Sequence, residues 1–496
     1  MKKAALLVFL PIFLLIAVVS VPYWLGASIE KQLRAQSDLF QRQWQQQPGV
    51  SYELYRYQRG YFSSIVDTRF TFDPQIISAL AASDFPVMAP FGLIFRHKIT
   101  HGPRIGKGFS LRTMSKIETL LVPDGRHKAI SNFYFGDQAA FSMTTRLEWT
   151  GAMKSDGAVP SYRGRDHTGQ YHVKWGGVNW GFEGNWITAQ GKGRFNAPRF
   201  ELASADHGVT VGGVSGDFNR LMSTQGFPLG DGSITLNTFK LRGESRSGVP
   251  LDVILRDMTG VYSVLQRGEL VDVTQQFGFR LLQVNDAKFN HGAIDLAINN
   301  LDTVVLQMMM QRYAATVQLP NASAERLSQV LWQEAQSLLP RLLVQAPIIH
   351  INKIEVTTVN GQMSGRFKLG IEEGAAVSTA IVLPIDLKEL LPLTRVEIDM
   401  KLPASIIEQQ ARKAVSAKII EQLLESEQTM TTEMLEQQTT RAVEQMLVQF
   451  EIQNIIRREA NHYRAGLRYQ DGRLYLNGVP ADNFMARYHR LKRVSG

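Results

Sequence analysis

The chain has 496 residues, of which 44% are hydrophobic and 20% charged, a composition typical of folded protein that excludes wholesale disorder. It contains no cysteine, which excludes disulfides, thiolate nucleophiles and cysteine-based metal sites. The formal net charge of +9 suits anionic lipid or another acidic partner. Nucleic acid is not an expected partner, because the lysines and arginines are scattered and no predicted helix carries a basic stripe with interleaved aromatic residues.

The first predicted element is a membrane anchor in residues 1–29. From Ala4 to Ile29 the sequence contains no side chain that is charged at pH 7, and about twenty apolar residues span the hydrocarbon core of a bilayer. A cleaved signal peptide is the alternative, although its apolar stretch typically has only about 7–15 residues. We therefore expect an N-terminal transmembrane helix that contacts membrane lipid. The flanking positive charges nearly balance, so charge alone leaves the orientation open.

A glutamine-rich stretch, residues 30–48, predicts a helical stalk after the anchor. Residues 49–301 then change to short aromatic and β-branched runs separated by glycine, a pattern typical of antiparallel strands. Arg59-Gly60 lies between the first two runs and predicts the turn of a hairpin. Packing within the β-rich region is the expected role of its tryptophans, and lining a ligand groove is the alternative. These tryptophans are Trp149, Trp175, Trp180 and Trp186.

Helical and strand patterns alternate in the middle of the second half of the chain. Residues 302–347 predict a helical segment, in which the run Met308–Met310 suits either core packing or a hydrophobic ligand. Residues 348–402 predict a second β region, with a hairpin around Asn360-Gly361.

The last part of the chain predicts helices followed by a hairpin. Apolar side chains recur about every four residues within residues 403–460, which predicts long amphipathic helices. We expect these helices to pack on the sheet, and self-association or a membrane-parallel helix are the alternatives. Residues 461–496 predict a C-terminal hairpin, with Asp471-Gly472 at its turn, and a basic tail.

Motifs that would identify a reaction or a metal are absent from the sequence. His97 and His101 are four residues apart, but their β-branched neighbours and the following Gly102-Pro103 indicate a strand. On a strand the two rings lie about 13 Å apart, too far for one metal ion. The run Gly213–Gly216 resembles a nucleophile elbow, but Asp217 stands where that motif needs glycine. We therefore predict no catalytic residue, no cofactor and no metal site, and a protein that is not an enzyme.

A set of short motifs resembles the YdgA-like family of bacterial proteins, which is grouped under a domain of unknown function. Gly26 and Ile29-Glu30, at the end of the apolar segment, belong to this resemblance, and the order and spacing of the motifs extend it over nearly the whole chain. The other matching positions are Arg59, Gly60, Phe62, Ser63, Ser64, His101, Gly102, Pro103, Asn477 and Gly478.

The resemblance implies an inner-membrane anchor with the body in the periplasm, and it implies no activity. From the residues alone, Arg59-Gly60 and Asn477-Gly478 predict turns, and His101-Gly102-Pro103 predicts the end of a strand. These positions are therefore candidates for a structural role or for one that is not known.

Together the patterns predict an α+β fold: an N-terminal transmembrane helix, then a large, elongated antiparallel β-sheet body with long amphipathic helices. The predicted function is that of a non-catalytic, single-pass protein of the bacterial inner membrane. Its periplasmic body is expected to act through protein–protein contacts, with a homodimer as one form. The alternative function is binding or transfer of a lipid or another hydrophobic ligand.

Overall fold

The fold is described from a computed structural model of the chain. The structure describes residues 26–31, 33–35, 37–38, 41, 50–72, 91–102, 104–105, 108–109, 112–123, 125–188, 190–222, 228–244, 250–308, 338, 341–371, 393–425 and 430–481. The chain divides into two compact units. The first comprises Met1–Asn237, Leu241–Gly243 and Gln307–Glu334, and the second comprises Thr238–Lys240, Glu244–Leu306 and Ala335–Gly496.

Thirteen strands and one complete helix are described in the first unit. They are β1 (Val50–Arg59), β2 (Ser63–Phe72), β3 (Phe91–His101), β4 (Arg104–Ile105), β5 (Gly108–Phe109), β6 (Thr113–Val122), α1 (Gly125–Phe135), β7 (Ser142–Glu148), β8 (Ala152–Val159), β9 (Tyr162–Arg165), β10 (His172–Trp175), β11 (Val178–Asn185), β12 (Gln190–Ala203) and β13 (Gly208–Met222). The division between the units falls within β14 (Pro228–Glu244).

Strands of the first unit follow one another as an antiparallel meander. The order β1, β2, β3, β6, β7, β8, β11, β12, β13 is a series of directly paired neighbours, each antiparallel to the next. The strands β9 and β10 pair with each other, and β10 pairs with the carboxyl-terminal part of β12. Neighbouring antiparallel strands can be joined by tight turns, as in the turn between β7 and β8, where Gly151 has a positive φ of 86°.

A helical segment, which includes residues 26–31 and 33–35, packs on the first strands of this meander. Its Ile29 is 4% exposed and joins Val66 of β2, Ile99 of β3 and Met114 of β6 in one buried cluster. Trp186 packs against the same cluster, as the packing interpretation of the tryptophans predicts for this one. The apolar contacts of three consecutive neighbouring strands with one helix therefore form the core of this unit.

The second unit contains the remaining strands and two long helices. They are β15 (Pro250–Arg267), β16 (Leu270–Phe279), β17 (Leu281–Val284), β18 (Ala287–Asp302), β19 (Ile348–Thr358), β20 (Gly361–Ile371), β21 (Thr394–Pro403), α2 (Ala404–Glu425), α3 (Thr432–Ile452), β22 (Arg457–Glu459), β23 (His462–Gln470), β24 (Arg473–Leu476) and β25 (Val479–Pro480).

This unit is also built from antiparallel neighbours, in the order β15, β16, β18, β19, β20, β21, β23, β24, β25. At the turn that joins β23 to β24, Asp471 and Gly472 both have a positive φ, at 51° and 72°. Two consecutive residues with positive φ match the right-handed twist of the flanking strands. The helices α2 and α3 lie in sequence between β21 and β23, which nevertheless pair directly with each other.

The predicted α+β class is wrong, because antiparallel strands dominate the described part of the chain. That part forms 25 strands, against three helices that are described from end to end. The predicted N-terminal transmembrane helix is also not found. Its apolar residues 4–25 lie outside the described residues, and the helical residues that follow carry Glu30, Lys31 and Arg34. Within the described ranges, no helix is both long enough and apolar enough to cross a bilayer.

The prediction of long amphipathic helices packed along the sheet is wrong as well. Apolar side chains lie all round α2: Ala411 is 9% exposed, whereas Ile420, nine residues later and therefore on the opposite side, is 42% exposed. The helices pack mainly on each other, and they reach the sheet near Tyr463. The apolar spacing therefore reflects a helix pair with only one end on the sheet.

Leu447 of α3 should contribute strongly to the stability of this helix pair, because it is 7% exposed, whereas its neighbour Val448 is 51% exposed. We expect Leu447→Ala to lower the free energy of unfolding by about 2–5 kcal/mol through the lost contacts and the cavity. The control Val448→Ala should change it by no more than about 0.5 kcal/mol. Urea denaturation followed by helical circular dichroism measures both, and equal effects would contradict the packing described above.

Candidate functional site

Two motif residues that are far apart in sequence, Ser64 and His101, form a buried hydrogen bond. Ser64 lies on β2 directly opposite Ile99 of β3, so His101 is the next residue of β3 on the same face. Ser64 Oγ is 2.9 Å from His101 Nε2, and each residue is 1% exposed. The sheet register therefore brings together two motifs whose relation the sequence does not show.

This hydrogen bond belongs to a short chain of donors. Tyr57 of β1 donates from its hydroxyl to Ser64 Oγ at 3.3 Å, which leaves the Ser64 hydroxyl proton available for His101 Nε2. The other ring nitrogen, His101 Nδ1, is buried without a hydrogen-bond partner in the described structure. Burial lowers the pKa of His101, because the imidazolium form would lose its hydration. This hydrogen-bonded group of Tyr57, Ser64 and His101 is therefore uncharged at pH 7.

Two motif glycines allow the backbone to approach this pair closely. The Gly102 N–H donates to Met114 O at 2.9 Å, and a Cβ at Gly102 would lie only 2.6 Å from Thr113 O. A Cβ at Gly26 would lie 3.2 Å from His101 Nε2. Larger side chains at these positions would force β3 away from β6, or the helical segment away from the imidazole.

The motif at Ile29-Glu30 meets the first hairpin at the same place. Glu30 lies 3.4 Å from the guanidinium of Arg59 and 3.0 Å from that of Arg34. The Arg34 guanidinium also lies over the ring of Tyr57, at 5.3 Å from its centroid. These polar contacts thus add to the buried apolar contacts of Ile29, the neighbouring motif residue.

The other motif positions of this region form the turn and the strand end. The Gly60 N–H donates to Ser63 O at 2.8 Å, and the His101 N–H donates to Phe62 O at 2.9 Å. The Phe62 side chain is 58% exposed. Pro103 lies outside the described residues.

A serine hydrogen-bonded to a histidine is also the arrangement of a nucleophile and its base. Here Ser64 has almost no exposed surface, so a substrate carbonyl has no path to its hydroxyl. No carboxylate of the described residues accepts a hydrogen bond from His101 Nδ1. The geometry therefore fits a structural role, in which the hydrogen bonds of Tyr57, Ser64 and His101 join β1, β2 and β3.

A second histidine lies on the same face of β3, four residues earlier. His97 Nε2 is 2.9 Å from Thr68 Oγ1, and its Nδ1 is 2.8 Å from Thr119 Oγ1. Burial lowers the pKa of His97 to about 4, and the nearby charge of Asp67 opposes this shift only in part. Each of the two histidines thus has its own hydroxyl partners. No group of three metal-ligating side chains occurs among the described residues.

The second unit presents apolar side chains in rows on one side of its sheet. Directly paired residues point to the same side, and six neighbouring strands contribute to these rows. The apolar face is defined as Val273 and Phe277 of β16, Ile294, Leu296 and Ile298 of β18, Ile349, Ile351 and Ile354 of β19, Phe367 and Leu369 of β20, Val396, Ile398 and Met400 of β21, and Leu467 and Tyr469 of β23.

A β-bulge keeps the isoleucines of β19 on this face. Ile351 pairs with Leu296 and Ile354 pairs with Ile294, although the two isoleucines are three residues apart. Strict alternation would place residues three apart on opposite faces. The extra residue, in the stretch Asn352-Lys353, restores both isoleucines to the same side.

This apolar face is only partly covered. Phe277 is 40% exposed, Ile294 36%, Ile354 37% and Met400 41%. The helices α2 and α3 cover one end of it, where Tyr463 is 3% exposed. A contiguous exposed apolar surface of this kind is typical of an interaction site.

The opposite side of the same sheet is polar. Charged and amide side chains pair directly across its strands, so the polar character is continuous from strand to strand. Two of these rows are Gln276–Asp295–Lys353 and Lys368–Glu397–Arg468.

The last motif, Asn477-Gly478, forms the turn between β24 and β25, with φ of 47° and 84°. Asn477 and Gly466 exchange two hydrogen bonds of 2.7 Å, one from each backbone N–H. The Asn477 amide also donates to Asn454 O at 2.9 Å. Asparagine is therefore needed both for the positive φ and for its side-chain hydrogen bonds.

Comparison with known families gives a match over most of the chain. Residues 1–482 match the family described as a bacterial protein of unknown function (DUF945). The chain belongs to this family. No curated protein sequence matches the chain, and no solved structure matches it. DUF945 membership therefore defines the protein as bacterial without assigning it an activity.

Within this DUF945 chain, the structure brings most of the predicted motif positions of the first unit into one place, around Ser64 and His101. It separates Asn477-Gly478 from them, in the other unit. The apolar face was missed, although alternating apolar residues in β19, β20 and β21 were a visible signal. The sequence could not show that these residues align across strands and remain exposed.

The pH dependence of folding should report on His97. Its pKa is about 4 in the folded chain and 6.5 when unperturbed, so the unfolded chain binds the proton more readily between these values. Stability from this group is therefore complete above about pH 6.5 and is lost as the pH falls toward about 4. We expect His97→Asn to lower stability at neutral pH and to flatten this dependence.

Urea unfolding at about pH 7 and about pH 5 measures the difference. The matched control is His172→Asn, because His172 is an exposed histidine of β10, in the same unit. An unchanged difference between the two pH values in His97→Asn would contradict the assignment to this residue.

Proposed function

We propose that the protein is a non-catalytic binding protein of the bacterial envelope, whose apolar face takes up the acyl chains of a lipid or a similar hydrophobic ligand. The observation that carries this proposal is the alignment of apolar side chains across six strands, with five of these side chains more than a third exposed. Each buried methylene contributes about 0.8 kcal/mol, so covering such a face is a strong driving force.

The two-sided character of the sheet supports a specific binding surface. Apolar residues lie on one side and charged residues on the other, so a hydrophobic ligand has only one side on which to bind. The helices α2 and α3 close one end of the apolar face near Tyr463. A ligand bound along the rows would therefore end against this helix pair.

The non-catalytic part of the proposal rests on the buried hydrogen bond between Ser64 and His101 in the first unit. Ser64 and His101 are the residues closest to a catalytic arrangement, and both are buried without a carboxylate on His101 Nδ1 in the described structure. The buried His97 has both ring nitrogens paired with threonine hydroxyls. Neither histidine is placed to transfer a proton to a ligand.

We further propose that the protein works at the bacterial inner membrane, with its body in the periplasm. DUF945 is a bacterial family, and the stretch Ala4–Ile29 contains no side chain that is charged at pH 7. The finer resemblance to YdgA-like proteins, which rests on the motif positions, implies the same location and is part of this proposal.

The apolar face can be tested with a triple variant, Phe277→Thr, Ile294→Thr and Ile354→Thr. Threonine keeps the strand preference while removing apolar contact area. We expect less lipid to copurify with the variant in native mass spectrometry. Its affinity for a fluorescent fatty acid should be weaker by at least about ten-fold, corresponding to about 1.4 kcal/mol.

The matched control for this variant is Gln276→Thr, Asp295→Thr and Lys353→Thr, at adjacent positions of the same strands on the polar side. It should bind lipid and probe like the natural sequence. Absence of lipid and probe binding in the natural sequence would reject the proposal. A dimer whose formation is abolished by the apolar variant would favour protein–protein contact instead.

The proposed location makes a separate prediction for cell fractionation. The protein should sediment with inner membranes, and a tag at its carboxyl end should be cleaved by protease added to spheroplasts. A cytoplasmic marker protein in the same sample must remain intact as the control. Recovery in the soluble fraction, or protection of the tag, would contradict the location.

A further inference from the structure

A pocket of about 650 Å³ lies on the polar side of the sheet in the second unit. Its walls come from β19 to β23 and from the turn at Asn477-Gly478. Asn477 fixes this turn to β23 and to the end of α3 through its hydrogen bonds with Gly466 and Asn454. The family motif at the carboxyl end thus forms part of a pocket wall, a role that the turn alone did not suggest.

The lining of this pocket has an excess of two positive charges. Five arginine and lysine side chains contribute to it, against three carboxylates. The positively charged residues are Arg366, Lys368, Arg457, Arg464 and Arg468, and the carboxylates are Glu397, Asp399 and Glu459.

Two of these arginines are held by one carboxylate. Arg464 donates to both oxygens of Asp399, at 2.8 and 2.9 Å, and an Arg366 nitrogen lies 2.9 Å from the same carboxylate. Hydrogen bonding from Arg464 lowers the pKa of Asp399, so this carboxylate is ionised at pH 7. The arrangement fixes the positions of both guanidinium groups before any ligand binds.

The other three positive charges form no direct ion pair among the described residues. They are Lys368, Arg457 and Arg468. The pKa of Glu397, lowered mainly by its hydrogen bond from Arg395, is nevertheless lowered further by the charges of Lys368 and Arg468. Arg468 lies over the ring of Tyr475, at 4.7 Å from its centroid, which orients its guanidinium without neutralising it. Its strand neighbour Glu397 is occupied by Arg395, at 2.6 Å.

A neutral histidine completes this side of the pocket. Burial lowers the pKa of His350, and the adjacent positive charge of Lys368 lowers it further. His350 therefore adds a hydrogen-bond donor at pH 7 without adding charge. Fixed guanidinium groups, a lysine and a neutral donor are the chemistry that recognises phosphate oxygens.

We propose that this pocket binds a phosphate group, as a free small anion or as part of a lipid headgroup. The dianion of phosphate would neutralise the excess charge of the lining. Lys368 and Arg457 would contact its oxygens directly, and Arg366 and Arg464, held by Asp399, would set the geometry of the site. The lining also includes Ile351, Phe367, Ile398 and Leu467, which belong to the apolar face. The charged side chains of the pocket belong to the rows of the opposite side of the sheet, so the phosphate site is distinct from that of the proposed function.

Isothermal titration calorimetry of the full chain with inorganic phosphate tests the site. We expect saturable binding that weakens with added salt, because screening reduces charge interactions. Lys368→Gln and Arg457→Gln should each reduce the affinity by about ten-fold or more. Arg457 is exposed on the short β22, so its substitution leaves the packing of the sheet intact.

Lys288→Gln is the matched control, since it removes one positive charge from an exposed position of β18 outside the pocket. Its phosphate affinity should equal that of the natural sequence. Equal losses in all three variants would show general charge attraction and would overturn the proposal.

A second arm distinguishes the source of the phosphate group. Vesicles of phosphatidylglycerol, with phosphatidylcholine vesicles as the reference, are tested for binding by sedimentation. Binding to phosphatidylglycerol vesicles that requires Lys368 and Arg457 would identify a lipid headgroup as the ligand. Binding of inorganic phosphate without binding to these vesicles would identify a free anion as the ligand. If neither probe binds in a manner that depends on these two residues, the proposal fails, and the apolar-face experiment is unaffected by that result.

Discussion

The constraint on which the second unit depends is the register of its antiparallel strands. Side chains alternate between the two faces of a strand, so a shift of one residue would exchange the apolar face for the charged one. Leu369 of β20 lies between Ile349 and Val396 on one face, while its neighbour Lys368 lies between His350 and Glu397 on the other. Both proposed binding surfaces therefore follow from the same set of backbone hydrogen bonds.

The first unit uses register differently, to place polar residues inside. Ser64, Thr68 and His97 are on one buried face, where an unsatisfied polar group costs about 1–3 kcal/mol. Diagonal pairs across β2 and β3 meet this requirement for the Nε2 atoms of both histidines, each of which reaches a hydroxyl two residues from its direct partner, whereas His101 Nδ1 has no partner in the described structure. Such a network fits only one register, so it specifies the pairing of these strands as well as stabilising it.

Local sequence signals were sufficient for the turns and insufficient for the packing. Asp471-Gly472 has the residues that a two-residue hairpin needs, and the structure has positive φ at both positions. The spacing of apolar residues in α2 predicted contact with the sheet, but it could not distinguish the sheet from a partner helix. The partner helix is α3, which packs on α2 through Val443 and Leu447. The apolar spacing within α2 gives no indication of these two residues.

The candidate sites were less accessible to sequence reasoning, because each depends on contacts between distant segments. Ser64 and His101 were chosen from a family resemblance, and only the pairing of β2 with β3 shows that they touch. Nothing local predicts the bulge in β19 either. Without it, Ile354 would leave the apolar face for the side on which His350 and Lys368 lie. With this single extra residue, β19 supplies Ile349, Ile351 and Ile354 to the apolar face. The same strand contributes His350 to the charged pocket on the other side.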